Sequence, residues 1–323
     1  MGNLAYNVNS VLADKGDYLM QLEKITAGSI VQPYGNSKGV WRVFGSNHGK
    51  QVTILAGIHG NEPSGIWAVT RLIKELISGK IELKQGSIIL ALGNLPAIIQ
   101  KKRFVGINLN RCFGRADLDH LNHYEVARAK ELMPILAETD GVFDLHSTSS
   151  ESPPFCLTHG RNLLLSTELS LPNVVYGKED IWTNMVKGTT AGWSEAHGIP
   201  AFVWESGQHN ALSTYRNAYR HLRLYLDYLG IIAYKTNHPF STIKAFELYE
   251  CQYLKNKNFT YFKEFCTLEW LPNNTPIGYY SDSSFTNSQT FATSRTSVMI
   301  MPTKPENLVI GEEMYYLALP TIW

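Results

Sequence analysis

The sequence predicts an α/β protein with a mixed, mainly parallel sheet flanked by helices, followed by a small all-β unit. Three observations carry this reading. Between Val52 and Glu205, short apolar runs alternate with segments whose apolar residues recur at helical spacing. The first run, its helix and the next run fit within about 40 residues, the size of a right-handed crossover between parallel strands. After Gly230 the texture changes: residues 240–323 are rich in Tyr, Phe, Thr and Asn and show no long helical pattern. A boundary near 235–240 follows, dividing residues 1–237 from a C-terminal β domain at 238–323.

Each element has its own reason. Residues 1–20 carry few apolar positions and read as a leader or a short helix. Ser29 to Gln32 and Val40 to Gly45 are strands around a Pro-Tyr-Gly-Asn turn. Val52 to Gly57 is a buried strand, and Gly65 to about Ile77 is the helix that follows it. Ser87 to Gly93 is the next buried strand. Residues 97–119 are polar and irregular. His120 to Ala137 has helical spacing, with His120 and His123 on its solvated face. Gly141 to His146 is a strand ending on a histidine, and Asn173 to Tyr176 is a short one. A helix over 180–197 is expected to break at Gly188 and Gly192. Ile199 to Glu205 is a strand ending on a carboxylate, and residues 211–229 form a long amphipathic helix. Turns are expected at Pro272-Asn273-Asn274 and Asp282-Ser283-Ser284.

Composition narrows the function. With 29 basic and 28 acidic residues the formal net charge is +1, which provides no general attraction to nucleic acid or an anionic membrane. The opening residues, MGNLAYNVNSVLADKGD, lack a basic stretch followed by an apolar one, so no secretory signal is expected. No run approaches the roughly 20 apolar residues of a membrane span. Cys112, Cys156, Cys251 and Cys266 are scattered with no C-x-x-C pair, which suits a reduced cytoplasm.

Chemistry concentrates at strand ends. His59 and Glu62 lie in the loop after the Val52 strand, His146 ends a second strand and Glu205 ends a third. In parallel α/β sheets, loops at the carboxyl ends of the strands converge on ligands. A lone H-x-x-E is weak, and His146 alone reads equally as a structural histidine. Together, however, His59, Glu62 and His146 supply the three protein ligands of a catalytic Zn²⁺. Glu205 is left as the general base for a zinc-activated water. Arg103, Asn108, Asn110 and Arg111 fall in the irregular segment, where arginine can grip a carboxylate with two parallel hydrogen bonds.

The motifs GIHGNE, NLNR, FDLHST and WESG, in this order, resemble the succinylglutamate desuccinylase/aspartoacylase family of the zinc carboxypeptidase-like group. The resemblance implies an eight-stranded, mainly parallel sheet and a C-terminal β domain that shapes the site entrance. It implies one Zn²⁺ per chain on His59, Glu62 and His146, with Glu205 activating water. Arg103, eight positions before Arg111, would stabilise the oxyanion, and Asn110 and Arg111 would bind a substrate carboxylate. The implied substrate is an N-acyl amino acid, with no nucleic-acid or membrane partner and the oligomeric state left open. Ser147 to Ser150 is closer to the aspartoacylase type of continuation. Arg161 and Arg216 are two candidates for a second substrate-binding arginine. One departure stands out. The family carries an aspartate two residues before the asparagine of N-R, expected to support the first zinc histidine, where this chain has Asn108. Asp144, two residues before His146, is a candidate to take over part of that support. Two rival readings are a zinc carboxypeptidase on short peptides and a catalytically weak homologue that binds zinc and carboxylates.

Overall fold

The computed structural model describes residues 17–162, 166, 169, 171–234, 243–281 and 289–321. By its internal contacts the chain forms two compact units, Met1–Ser147 with Val186–Asn237, and Thr148–Met185 with His238–Trp323. Residues 1–16, the expected boundary at 237/238 and the Asp282-Ser283-Ser284 turn lie outside the described residues.

In chain order the first unit begins with α1 (Asp17–Thr26), β1 (Gln32–Pro33), β2 (Val40–Phe44), β3 (Gln51–Ala56), α2 (Pro63–Ile77), β4 (Ser87–Leu92), α3 (Leu95–Gln100), α4 (Tyr124–Ala137) and β5 (Gly141–Thr148). The second unit then contributes β6 (Phe155–His159), β7 (Asn173–Gly177) and α5 (Glu179–Met185). The chain returns to the first unit with α6 (Thr190–Ala196), β8 (Ala201–Gln208) and α7 (Leu212–Tyr228).

The architecture is the expected mixed α/β one, a large and mostly parallel sheet flanked by helices with a β region at the C-terminal end. Within the first unit the strand order is β1-β2-β4-β3-β5-β8. β3 is parallel to β4 on one side, with Ile54 opposite Leu90, and parallel to β5 on the other, with Ile54 opposite Phe143. A strand covered on both faces needs apolar residues at every position, which is why its sequence does not alternate. Ile54, Leu90 and Phe143 are fully buried, and each such side chain contributes about 1.5–3 kcal/mol relative to exposure. α2 packs its apolar face on α7. The Trp67 ring meets Tyr215 and Tyr219 edge-on, with centroids 5.9 and 6.0 Å apart. Farther along α2, Arg71 sits 4.2 Å over the Tyr219 ring, and Glu75 accepts a hydrogen bond from the Tyr219 hydroxyl.

In the second unit β6 and β7 are parallel, and so are β7 and β9 (Lys244–Tyr253). The later strands are short: β10 (Phe259–Tyr261), β11 (Glu269–Leu271), β12 (Pro276–Tyr280), β13 (Gln289–Ala292) and β14 (Ser297–Ile300), before β15 (Glu313–Thr321). β9, β15, β14 and β11 pair antiparallel in that order, while β10, β12 and β13 make a three-stranded sheet. Phe259, Phe265, Ile277, Tyr280, Met299 and Tyr315 are among the residues of its core.

Several local expectations shift. The helix expected over 180–197 breaks around Gly188 but not at Gly192, which lies inside α6. Gly188 has φ +76°, and a Cβ there would stand 2.5 Å from the carbonyl oxygen of Arg111. That close approach both forbids a side chain and stops the helix. The helix expected from His120 begins only at Tyr124, because His123 is extended at φ −110° and ψ 143°. The strand expected over Ser29 to Gln32 is confined to Gln32–Pro33. β6 has no counterpart in the sequence reading: Pro153 and Pro154 before it look like a loop. No disulfide joins the four cysteines. Among the described residues, no helix is long and apolar enough to cross a membrane.

Candidate metal centre and its surroundings

The centre is assembled where β3 gives way to α2. Glu62 occupies the N-cap position of α2 and Pro63 follows at the first helical position, where a missing N–H costs nothing. The Glu62 side chain caps no backbone donor of the helix. Its carboxylate turns instead toward two imidazoles. Oε1 lies 2.8 Å from His59 Nδ1, and Oε2 lies 3.0 Å from His146 Nδ1. The Ser147 backbone N–H also donates to Oε2 at 3.0 Å, so the end of β5 positions the same carboxylate. Gly60 allows the loop to lie against α3, since a Cβ there would come within 2.1 Å of the Ala97 carbonyl carbon.

Each ring has an acceptor behind it. His59 Nε2 lies 3.1 Å from Asn108 Oδ1, which also accepts from the Asn110 backbone N–H at 3.0 Å. That second bond identifies the atom as the amide oxygen, so His59 Nε2 is the donor. His146 Nε2 lies 3.1 Å from Asp144 Oδ2, at ion-pair distance though short of hydrogen-bond alignment. A neutral ring with its proton on Nε2 presents a lone pair at Nδ1. Both Nδ1 atoms face the Glu62 carboxylate, so three electron-rich donors converge in a buried space.

Those donors, one from each of His59, Glu62 and His146, all lie within 4.8 Å of one another. Two imidazoles and a carboxylate make a donor set that suits zinc, with the outer nitrogen of His59 held by Asn108 and that of His146 facing Asp144. Burial pushes His59 down to about 4, with Arg103 adding to the effect, so the ring is neutral as a ligand must be. Burial would raise the Glu62 carboxyl, but His59 and His146 hold it well below the ordinary carboxylate range. Burial would likewise lower His146, yet Asp144 and Glu62 hold it well above its ordinary value. The pocket therefore demands positive charge.

Glu205, on β8, is 7% exposed, and its Oε2 has no hydrogen-bond partner among the described residues. Burial pushes its carboxyl up to about 8; Glu62 and Asp144 push the same way, while His146 and Arg103 oppose it. A carboxyl that titrates near neutrality is suited to taking and returning a proton. Arg103 Nη1 lies 3.4 Å from His59 Nδ1 and 3.6 Å from Glu62 Oε1, with the side chain partly exposed. Asn110 is buried, and its Oδ1 accepts from the Thr190 backbone N–H at 3.1 Å, which leaves the amide NH₂ as its donor end. Arg111 is half-buried beside it, with Nη1 donating to the Asn110 carbonyl at 2.7 Å.

His59, Glu62, His146, Arg103 and Glu205 thus come together in the first unit, with Asn110 tied to them through Asn108 and Arg111 beside Asn110. Asp144 faces His146, not His59, so it does not take over the part expected of the residue at 108. Arg216 is exposed on α7, and the Arg161 side chain lies outside those described. Two supporting groups escape a sequence reading. Glu125 on α4 is buried, and its Oε1 accepts from the backbone N–H groups of Val105 and Gly106 and from Asn94 Nδ2, at 2.8, 3.0 and 3.1 Å. It tethers the loop just past Arg103. Ser147 Oγ lies 2.8 Å from His209 Nδ1. In sequence these residues show only as a carboxylate in a helix, a serine and a lone histidine.

Comparison with known proteins places the family and the fold. Residues 48–225 match the model for the succinylglutamate desuccinylase/aspartoacylase catalytic domain. A succinylglutamate desuccinylase of Pseudoalteromonas atlantica is 39% identical over 95 residues, covering 28% of this chain and 27% of the relative. A probable aspartoacylase of Acaryochloris marina is 33% identical over 111 residues, covering 32% of this chain and 37% of the relative. The match therefore spans 27% and 37% of the length of these two relatives. The crystal structure of a succinylglutamate desuccinylase from Vibrio cholerae superposes with a TM-score of 0.70 at 17% identity, covering 88% of this chain and 86% of the other.

Proposed function

Because this chain belongs to the succinylglutamate desuccinylase/aspartoacylase family, we propose that it is a zinc-dependent amidohydrolase removing the acyl group from an N-acyl amino acid. The observation that carries this reading is the buried His59–Glu62–His146 set, with both Nδ1 atoms turned to one carboxylate. Bound there, one Zn²⁺ would acidify a water molecule and polarise the scissile carbonyl.

The chain's own residues do the rest. Glu205 takes the proton from the attacking water and delivers it to the leaving amine nitrogen as the C–N bond breaks. Its elevated carboxyl suits both halves of that transfer. Arg103 donates to the carbonyl oxygen as it gains negative charge. Asn110 presents its NH₂, and Arg111 its guanidinium, to a carboxylate of the substrate. Residues 1–237 would make the catalytic domain and 238–323 a β domain, and we assign the enzyme to the cytoplasm on its cysteine usage.

A screen of N-acetyl and N-succinyl amino acids, with added zinc and with chelator, tests the reading. Zinc-dependent release of a free amino acid supports it. Preference for di- and tripeptides would instead identify a carboxypeptidase. Absence of turnover on every substrate, with zinc bound, would identify a binding homologue, a reading that the neutral Asn108 behind His59 favours.

A further inference from the structure

Thr190 stands at a junction between the two halves of the site. The N-cap of α6 is Thr189, whose hydroxyl oxygen accepts from the Gly192 N–H at 3.0 Å. Thr190 is thus the first helical residue, and its own N–H is one of the donors that a helix leaves unused. That N–H goes to Asn110 Oδ1 at 3.1 Å. The Thr190 hydroxyl donates to Asp144 Oδ2 at 2.5 Å, the same oxygen that lies 3.1 Å from His146 Nε2. Thr190 is fully buried and Asp144 is 1% exposed, so no bulk water competes for these bonds.

We propose that Thr190 is a positioning residue that holds the metal side and the substrate side of the site in one register. Its hydroxyl fixes the carboxylate behind His146, and its N–H fixes the rotation of the Asn110 amide so that the NH₂ faces a substrate acceptor. The two bonds leave from one residue, so neither carboxylate nor amide turns without straining the other. Side chain and backbone also separate the two tasks. Removing the hydroxyl frees Asp144 and leaves the bond to Asn110 in place.

This inference rests on the proposed zinc reading, and the experiment separates the two. Zinc affinity is measured on the full chain by competition with a chromogenic chelator, for the wild type, Thr190→Val, Thr190→Ser, Asp144→Asn and the Thr190→Val/Asp144→Asn double variant. Residues that orient metal ligands typically cost about 10–100-fold in affinity when removed. With Thr190 one bond further out, Thr190→Val should weaken zinc about tenfold, and Thr190→Ser should restore it. In the Asp144→Asn background Thr190→Val should change affinity less than twofold, because the hydroxyl acts through that carboxylate. If Thr190→Val shifts affinity equally in both backgrounds, or not at all, the inference falls while the zinc reading stands. If the wild type binds no zinc, the zinc reading itself falls and takes this inference with it.

Discussion

Replacing Asn108 with aspartate tests the proposed metal centre at the acceptor behind His59. Asn108 Oδ1 receives His59 Nε2 at 3.1 Å and the Asn110 N–H at 3.0 Å. Both neighbours of Oδ1 are donors, so a carboxylate oxygen can take the same two bonds. Neutral hydrogen bonds contribute about 0.5–1.5 kcal/mol each, and those to a charged group about 1.5–3 kcal/mol. The two bonds together should gain on the order of 2 kcal/mol. Desolvating a carboxylate at a position only 4% exposed offsets part of this. A net gain of about 1.4 kcal/mol corresponds to roughly tenfold tighter zinc. Chelator competition at neutral pH on Asn108→Asp and wild type measures the difference, and Asn108→Ala should move it the other way. Unchanged or weaker zinc in Asn108→Asp, with the metal-free protein still folded, would show that the acceptor behind His59 does not tune the site.

Four further outcomes, from three variants, follow from the same geometry. Glu205→Gln should retain zinc and lose turnover; near-normal hydrolysis in that variant would remove Glu205 as the base. The same substitution should change how the metal-free protein responds to pH. The Glu205 carboxyl, raised from 4.5 to about 8, holds its proton more tightly in the folded state, so stability present below pH 4.5 is lost as pH rises through about 8. That loss is on the order of 5 kcal/mol at 1.36 kcal/mol per unit, and Glu205→Gln should flatten it in denaturant titrations across that range. Arg103→Ala should lower kcat about 10²–10³-fold, as loss of an oxyanion donor does, with zinc content unchanged by metal analysis. Glu125→Ala leaves the Val105, Gly106 and Asn94 donors without their acceptor, at about 1–3 kcal/mol each if unsatisfied. It should lower the melting temperature and reduce kcat more than it alters zinc binding.

What could be read from sequence was the part that depends on neighbours in the chain. β3 announces itself because burial on both faces demands an unbroken apolar run, and helical spacing from Gly65 announces α2, which begins two residues earlier at Pro63. His146 and Glu205 were legible because each sits at or near the end of an apolar strand, where the topology brings such ends together. β6 was not, because two prolines precede it and a five-residue strand leaves too few positions for a pattern. The partners of Asp144, Asn110 and Val105 were invisible for another reason. Thr190 lies 46 residues beyond Asp144, and Glu125 lies 20 beyond Val105. Nothing local distinguishes a threonine at a helix start or a glutamate in a first turn from its solvated equivalents until the fold brings its partner to it.

The pairing of α2 with α7 ties together two elements that adjoin the candidate site. α2 starts at Glu62, whose carboxylate faces His59 and His146, and α7 follows the strand that carries Glu205. Glu75 and Arg71 grip Tyr219 farther along the same two helices, with Glu75 about 20 Å along α2 from Glu62. The two helices are therefore clamped to each other by aromatic and polar contacts well away from Glu62. Removing the Tyr219 hydroxyl would leave the buried Glu75 without that donor and loosen the packing of the two helices that adjoin Glu62 and the Glu205 strand.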